Sequence, residues 1–418
     1  MAALDFDPFD PGPHDQRPSV YAELRERAPV FHTDSDLWVI SRFDDVKAVN
    51  ASPDLFSSRP NPYEGKSSDT QEDLSPEELE RLLVVASELP VDLGELAGSR
   101  AIAGADPPEH TRMRRIVSRG FTPPRIAEMA AAIDEIVDKC LDGVAAGAPF
   151  DVVERLAVPL PVEMICHILG FDRGHYGDVK RWSDAFAVAA VGDLGRSPEG
   201  QLMMLSTLKE FSTFFVPLVE SRRKDPQNDL VSTMVRAIDD DSLTTIETMT
   251  MAVTIMVAGN ETSTNLIGNT TVELLSHPDQ LDALTKDPSL LPNAIEEANR
   301  LTAPIQFTFR EARQDTEIAG TSIPKGAIVV LHLAAANRDP RQFDDPDAFR
   351  IDRPLGKNLS FGHGIHFCLG AHLAGLEVRT AVGKLLPHLQ TSKLGDDPLQ
   401  PNPSVLLNGW RRVELTWS

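Results

Sequence analysis

The chain has 418 residues, a formal net charge of −23 at pH 7 and a hydrophobic content of 41%. This composition is typical of a soluble globular protein. The negative charge argues against a nucleic-acid partner, because such surfaces need clustered Lys and Arg. We predict no membrane span, since no apolar run has the length that a bilayer requires, and no secretion signal at the acidic N-terminus. We therefore expect a cytoplasmic protein.

The first hundred residues predict a small sheet followed by an acidic segment. A helix is expected from 18 to 28, then a strand at 37–41 that leads directly into a second helix. Segment 61–100 is polar and acidic and contains one amphipathic helix, which opens at a capping box beginning with Ser75. Acidic segments of this kind are usually solvated loops, and a cover over a binding site is the alternative.

A helix that opens within residues 106–119 places His110 and Arg114 four positions apart on one face. Both side chains can address one anion, or they can form a solvated basic face. Residues 126–243 are almost entirely amphipathic helix. Cys140 and Cys166 lie in these apolar helical contexts, and we expect them to be packing residues rather than disulfide partners.

The most prominent element is a proline-free helix predicted from 244 to 276, which begins at a capping box of Thr244 and Glu247. Its length of roughly 45–50 Å favours a central position. The run A-G-N-E-T at 258–262 interrupts its apolar face, and a mid-helix glycine there costs about 1 kcal/mol of helix propensity. We expect a local widening of the helix beside a ligand.

The remaining chain combines an ion pair, short strands and a glycine-rich loop. Glu297 and Arg300 are three residues apart in E-A-N-R, and Arg353 is a candidate third partner. Residues 304–333 read as short strands joined by hairpin turns. The loop F-G-H-G-I-H-F-C-L-G at 361–370 precedes a helix expected from Ala371, so Cys368 lies where a helix N-terminus favours a thiolate. Taken alone, this cysteine is more often a small buried packing residue.

Together these segments resemble the cytochrome P-450 family of haem-thiolate monooxygenases, most closely its soluble bacterial members. The cysteine loop is similar to the haem-binding loop, A-G-N-E-T to the oxygen-activating segment of the central helix, and E-A-N-R to the E-x-x-R pair, all in the family's order. The cysteine loop alone is highly specific, whereas E-x-x-R alone is not. The resemblance covers nearly the whole chain.

The resemblance implies a mainly α fold with a smaller β-rich portion, forming a triangular single domain over residues 1–418. We expect the sheet-rich portion at about 18–60 and 304–335, the helix-rich portion at 106–303, and the haem loop at 361–370. The acidic segment is longer than in compact bacterial members, so we expect it to shape or cover the substrate entrance.

The resemblance also implies a role for each matching residue. Cys368 is the axial ligand of the iron in haem b, the expected cofactor. The other expected haem-binding residues are Phe361, Gly364 and Gly370 in the loop and His110, Arg114, Arg310 and His366 as partners of the propionates. Glu297, Arg300 and Arg353 form a structural triad. Glu261 and Thr262 relay protons, with Ala258 and Gly259 marking the oxygen groove. The expected substrate pocket includes Thr254, Val257, Gln306, Thr308, Leu406 and Leu407.

The implied activity is insertion of one oxygen atom of O2 into an apolar small molecule, by hydroxylation or epoxidation. Electrons are expected from NAD(P)H through a ferredoxin reductase and a ferredoxin, and the protein is expected to be a monomer. The ferredoxin surface is expected to be a positive patch formed by Arg112, Arg115, Lys357 and Arg379. Two alternatives stay open: a peroxygenase driven by H2O2, which does not need the Glu261–Thr262 pair, and a non-catalytic haem sensor or binding protein.

Overall fold

Helices make up most of the chain in the computed structural model, which describes residues 4, 6–10, 12–59, 75–144, 148–190, 197–239 and 243–417. The helices are α1 Arg17–Arg27, α2 Phe43–Asn50, α3 Pro76–Ser87, α4 Leu93–Gly98, α5 Glu109–Val117, α6 Pro123–Glu128, α7 Ala130–Leu141, α8 Pro159–Leu169, α9 Tyr176–Ala190, α10 Pro198–Lys224, α11 Leu230–Asp239, α12 Thr245–Ser276, α13 Pro278–Lys286, α14 Leu291–Thr302, α15 Leu333–Ala336 and α16 Ala371–Leu389. The strands are β1 Val30–His32, β2 Leu37–Ile40, β3 Phe56–Ser57, β4 Phe150–Asp151, β5 Thr308–Ala312, β6 Thr316–Ile318, β7 Thr321–Ile323, β8 Ile328–Leu331, β9 Ser392–Leu394 and β10 Glu414–Trp417.

The chain divides into two compact units. The first comprises Met1–Pro62, Ile126–Pro161 and Glu261–Ser418, and the second comprises Tyr63–Arg125 and Val162–Asn260. The predicted extent of a single domain, 1–418, stays a prediction. Residues 61–74 of the predicted acidic segment lie outside the described residues.

A mixed sheet organises the first unit, in the strand order β1-β2-β8-β5-β3. Strand β2 pairs with β8 in parallel and β5 pairs with β8 antiparallel, so both Trp38 and Arg310 lie opposite Val329. The strands come from the two segments in which the sequence predicted them. A core of buried aliphatic and aromatic side chains covers the sheet, including Val39, Val330 and Phe307. This sheet gives Arg310 a fixed backbone position.

A second sheet in the same unit was not predicted. Strand β4 lies in the region expected to be almost entirely helical, and it pairs with β10, with Phe150 opposite Leu415. Strand β9 completes this sheet, with Leu394 also opposite Leu415. Strand β4 has only two residues, which are too few to show the alternating pattern of a strand. Its partner, β10, lies more than two hundred and fifty residues later in the chain. Local pattern therefore could not identify this strand.

The second unit is helical, and α10 is packed against α3, α9 and α11. Phe211 and Phe215 of α10 are fully buried, and their rings stack with centroids 5.2 Å apart. Within the described residues, α10 is the helix whose length and composition would also suit a membrane span, although the sequence analysis predicted none. A core helix of a soluble protein meets the same criterion, so this feature is weak evidence for a span.

Helix α12 has the predicted bounds and the predicted capping box. The Thr244 N–H donates to Glu247 Oε2 at 2.8 Å, and the Glu247 N–H donates to Thr244 Oγ1 at 3.0 Å. The predicted widening is not seen, because the α-helix runs unbroken from Thr245 to Ser276. A Cβ placed on Gly259 would lie 3.3 Å from two side-chain carbons of Ile165 on α8. The glycine therefore permits close packing of α8, which does not require a break in α12.

Candidate functional site

The cysteine loop turns back on itself before α16. The Cys368 N–H donates to the Phe361 carbonyl at 2.8 Å, and the Phe367 N–H donates to the Gly364 carbonyl at 3.1 Å. Gly370 is the residue that precedes the first turn of α16, as the sequence predicted. The Cys368 side chain is exposed, whereas Cys140 and Cys166 are buried. Burial raises the pKa of Cys166 to about 12, so only Cys368 is placed to act as a thiolate ligand.

Gly364 allows the loop to approach the end of α2 very closely. Its φ is +71°, and a Cβ at this position would lie 2.4 Å from the Asn50 carbonyl oxygen. Any side chain here would therefore combine a left-handed backbone with a severe clash. The result is a loop held directly against α2.

Two of the predicted propionate partners contact side chains of the first unit, at Asn50 and at Ser58. Arg310 is buried and donates to Asn50 Oδ1 at 2.8 Å, while His366 Nε2 lies 2.9 Å from Ser58 Oγ. Strand β5 thus places a guanidinium at the end of α2, and the cysteine loop places an imidazole beside Ser58. Asn50 and Ser58 were not predicted from the sequence, because neither belongs to a recognisable motif.

The other two predicted propionate partners lie together on α5 of the second unit. His110 is 2% exposed, and Arg114 is half-buried one turn later. Burial lowers the pKa of His110, and the neighbouring Arg114 charge lowers it further. His110 is therefore a neutral hydrogen-bonding group at neutral pH, and Arg114 carries the positive charge of this pair.

Arg112 also lies on α5, but it is engaged within the second unit. Its guanidinium makes a bidentate pair with Glu247 at the start of α12, with one N–O distance of 3.2 Å. Of the four residues in the predicted ferredoxin patch, Arg115, Lys357 and Arg379 are exposed and Arg112 is half-buried. Arg112 thus has a structural contact that the sequence analysis did not predict.

The Glu297, Arg300 and Arg353 side chains meet in the first unit. Arg300 donates to both oxygens of Glu297 at 2.7 and 2.8 Å, and Arg353 Nε donates to Glu297 Oε1 at 2.7 Å. Arg300 also donates to the carbonyls of Asn337 and Pro346. Glu297 and Arg300 are 3% and 2% exposed, so charge and hydrogen bonding are both satisfied inside the protein.

The side chains in the middle of α12 differ in their exposure and in their contacts. Ala258 is exposed, and Glu261 and Thr262 are half-buried. Ser263 is 3% exposed, and its hydroxyl donates to Glu377 Oε2 on α16 at 2.9 Å. This contact connects the turn after Thr262 with the helix that begins behind Cys368.

Glu377 is a buried carboxyl group that the sequence analysis missed. Burial raises its pKa from 4.5 to about 8, and the hydrogen bond from Ser263 partly opposes this shift. The carboxyl is therefore mainly protonated at neutral pH. A single acidic residue on the apolar run after the cysteine loop was the available signal, but it does not show which neighbour the carboxyl contacts.

Comparisons with known proteins match this chain along most of its length. The sequence profile described as Cytochrome P450 matches residues 198–416. The 6-deoxyerythronolide B hydroxylase of Saccharopolyspora erythraea is 38% identical over 387 residues, which are 90% of this chain and 89% of the relative. The chain belongs to the cytochrome P450 family. It is a P450 monooxygenase, an oxidoreductase, and P450 proteins of this family bind haem b.

Other P450 proteins support the same assignment. The vitamin D(3) 25-hydroxylase of Pseudonocardia autotrophica is 35% identical over 405 residues, covering 95% of this P450 and 92% of the relative. The crystal structure of CalO2 has a TM-score of 0.82 and 30% identity, covering 100% of this P450 and 99% of that chain. The mainly helical P450 fold with a smaller sheet portion is thereby confirmed.

The residues of this P450 fit a haem. Cys368 offers an exposed thiol at the N-terminal end of α16, where developing negative charge is favoured. Gly364 keeps the loop flat against α2, and Arg310 and His366 supply donors suited to carboxylates. The donor set thus matches a thiolate-ligated iron porphyrin with acidic side groups.

The predicted pocket residues of this P450 fall into two groups. On α12, the Thr254 hydroxyl donates to the Thr250 carbonyl at 2.7 Å, and Val257 is half-buried. In the first unit, the backbone N–H of Gln306 donates to the Leu406 carbonyl at 2.9 Å. The preceding residue, Ile305, forms an isolated β-bridge with Leu407, so Gln306 lies beside both leucines. Thr308 follows in β5.

The side chain of Gln306 argues against its predicted pocket role. It donates to the carbonyls of Thr302 and Ala303 and accepts from the Tyr21 hydroxyl at 3.0 Å. Both amide protons are used by the fold, and the residue is 3% exposed. These contacts give Gln306 a structural role in joining α1 to the end of α14.

Proposed function

We propose that this P450 hydroxylates an apolar small molecule with one oxygen atom of O2, receiving electrons from a ferredoxin. The proposal rests on the exposed Cys368 thiol, which lies just before the start of α16. The same chain has Glu261 and Thr262 side by side on α12. Haem iron with a thiolate ligand supplies the oxygen-activating chemistry when bound. The protein side chains supply orientation, protons and exclusion of water.

In this proposal, Cys368 binds the iron, and His110, Arg114, Arg310 and His366 hold the propionates. The Thr262 hydroxyl donates a hydrogen bond at the reaction centre, and the Glu261 carboxylate exchanges protons with solvent. Both side chains are half-buried, so each keeps some solvent-accessible surface. The apolar stretch of α12 before them contributes the wall of the substrate pocket through Thr254 and Val257.

Hydroxylation is favoured over epoxidation because the two reported relatives are named hydroxylases. Their names refer to 6-deoxyerythronolide B and vitamin D(3). We infer that the substrate of this P450 is a bulky apolar molecule. The half-buried Val257, Leu406 and Leu407 provide apolar contacts and few fixed polar anchors, which suits such a substrate.

For the ferredoxin surface, we propose the exposed cations Arg115, Lys357 and Arg379. Charge reversal at each should slow reduction at low salt and have less effect at high salt, because long-range attraction is screened. Lys325 is an exposed lysine of β-turn sequence outside this set and provides a matched reversal control. We omit Arg112 because reversal there would also place two negative charges together at Glu247.

The proposal is tested with the haem-loaded protein, labelled ¹⁸O2 and a panel of bulky apolar compounds. Compounds are first selected by a shift of the ferric Soret band, and turnover is then compared with reduced ferredoxin and with H2O2. One labelled oxygen atom per product with ferredoxin supports the proposal. Efficient turnover by H2O2 alone favours the peroxygenase, and tight binding without product from either source favours the binding protein. We also propose that the protein is cytoplasmic and monomeric.

A further inference from the structure

A buried hydrogen-bonded bridge joins α9 to α12 immediately before the Glu261–Thr262 pair. Asn260 Nδ2 donates to Ser183 Oγ at 3.3 Å, and Ser183 Oγ donates to the Met256 carbonyl at 3.2 Å. Asn260, Ser183 and Met256 are each 0% exposed. Asn260 belongs to the A-G-N-E-T run, but none of the roles assigned above uses its side chain.

The bridge fixes the orientation of the Asn260 amide. A serine hydroxyl has one proton, and Ser183 directs it to the Met256 carbonyl. Ser183 can therefore only accept from Asn260, which requires the NH2 group to face α9. The Asn260 carbonyl oxygen then points elsewhere, and it is buried with no hydrogen-bond partner among the residues described by the structure.

The bridge spans one turn of the central helix. Residues 256 and 260 are the two residues that a regular α-helical hydrogen bond connects. Ser183 contacts both from a neighbouring helix, at the carbonyl of one and the side chain of the other. A hydroxyl that donates to a helix carbonyl competes with the helical bond and makes that turn more adjustable.

We propose that Ser183 and Asn260 are positioning residues that couple α9 to the turn of α12 from which Glu261 and Thr262 continue. A displacement of α9 would change the hydrogen bonds at residues 256 and 260 and so reorient the two following side chains. The Asn260 carbonyl oxygen is buried and has no hydrogen-bond partner in the part of the chain that the structure describes, so a rearrangement that supplies a donor to it would be favourable. This inference rests on the proposed function for its catalytic consequence, but the coupling itself is a property of the helices.

Four variants separate coupling from ordinary packing. Ser183→Ala removes the bridge, and Ser183→Thr keeps the hydroxyl. Thr270→Ala is a matched control, because Thr270 is also 0% exposed and its hydroxyl donates to an α12 carbonyl, that of Leu266, at 2.7 Å. The control therefore removes a buried hydroxyl that donates to an α12 carbonyl without removing a contact to α9. Asn260→Leu is a second way to break the bridge if Ser183→Ala does not fold.

Hydrogen exchange of the haem-loaded protein is the first measurement. Ser183→Ala removes both hydrogen bonds of the bridge, so exchange at residues 256–262 should rise by roughly tenfold or more. Ser183→Thr should restore the slower exchange, and Thr270→Ala should leave this segment unchanged. The double variant with Asn260→Leu should exchange no faster than Ser183→Ala, because Ser183→Ala already removes both hydrogen bonds of the bridge.

Product formed per NAD(P)H consumed is the second measurement. We expect this ratio to fall severalfold in Ser183→Ala, with recovery in Ser183→Thr and no change in Thr270→Ala. Equal exchange at 256–262 in Ser183→Ala and wild type would overturn the coupling, as would an equal effect of Thr270→Ala. Absence of product from wild type would instead contradict the proposed function, while the exchange measurement would still decide whether the bridge couples the helices.

Discussion

Ser263 on α12 donates a hydrogen bond of 2.9 Å to Glu377 on α16, so a buried carboxyl joins the helix of the Glu261–Thr262 pair to the helix behind Cys368. Both side chains are 3% exposed. This contact lies wholly within the first unit. It gives the protein an internal titratable group whose effect on stability can be measured directly.

Glu377→Gln should remove a pH dependence of stability. Burial raises the pKa of Glu377 from 4.5 to about 8. Below pH 4.5 the folded and unfolded states are both protonated, and the full stability is present. Between about pH 4.5 and 8 only the unfolded state ionises, so stability should fall by about 1.4 kcal/mol per pH unit. Denaturant unfolding from pH 4 to 9 should show this contribution in wild type and its loss in Glu377→Gln.

A matched control for that measurement is Glu80→Gln, which removes an exposed carboxyl on α3. It should leave the pH profile of wild type unchanged. Ser263→Ala removes the hydrogen bond that opposes the shift, so the pKa of Glu377 should rise further and the upper end of the window should move to higher pH. Identical profiles for Glu377→Gln and wild type would contradict this account.

Gly364→Ala should disrupt the cysteine loop. The new methyl group would lie 2.4 Å from the Asn50 carbonyl oxygen at a φ of +71°, so both sterics and backbone conformation oppose it. We expect loss of most haem from the purified protein, measured by the ratio of Soret to protein absorbance. Gly356→Ala is the control, since its φ is +85° but no atom lies within 4 Å of the added carbon. Equal haem retention in the two variants would show that the close approach at Asn50 is unimportant.

Arg300→Ala should destabilise the protein strongly. It leaves the Glu297 carboxylate buried with one fewer partner and removes the donor to three backbone carbonyls. Breaking a buried pair in this way costs about 3–5 kcal/mol. Urea unfolding should show this loss, while Arg350→Ala, which breaks the exposed pair with Asp352, should change the midpoint little. Similar midpoints for the two variants would argue against a structural triad.

Thr262→Ala should uncouple electron consumption from product formation. The variant lacks the hydroxyl proposed to act at the reaction centre, so product per NAD(P)H should fall on the order of tenfold or more. Substrate binding, measured by the Soret shift, should change little because the substitution removes few atoms. Thr262→Ser keeps the hydroxyl and should retain most of the coupling. A Thr262→Ala variant with wild-type coupling would remove Thr262 from the proposed catalytic group.

The sequence predicted the elements that local patterns determine. The capping boxes at Ser75 and Thr244 are both confirmed, because each places complementary side chains three residues apart at the start of a helix. The central helix and the short strands of residues 304–333 are also confirmed. The cysteine loop was identifiable because glycines and a cysteine in that spacing are rare outside one family.

The remaining contacts depend on which helices become neighbours, which a single sequence does not show. Glu377 and Ser263 are more than a hundred residues apart, as are Arg112 and Glu247. The predicted widening of α12 was wrong because Gly259 provides room for Ile165, a residue on another helix. Tertiary packing therefore determined the details that sequence pattern left open.

The carbon monoxide spectrum of the reduced, haem-loaded protein tests the central claim most directly. Thiolate ligation by Cys368 predicts a strongly red-shifted carbonyl band. The band should persist in Cys140→Ser and Cys166→Ser, which alter only buried packing thiols, and should be lost in Cys368→His. Absence of the red-shifted band from folded wild-type protein, or its persistence in Cys368→His, would contradict the assignment of Cys368 as the iron ligand.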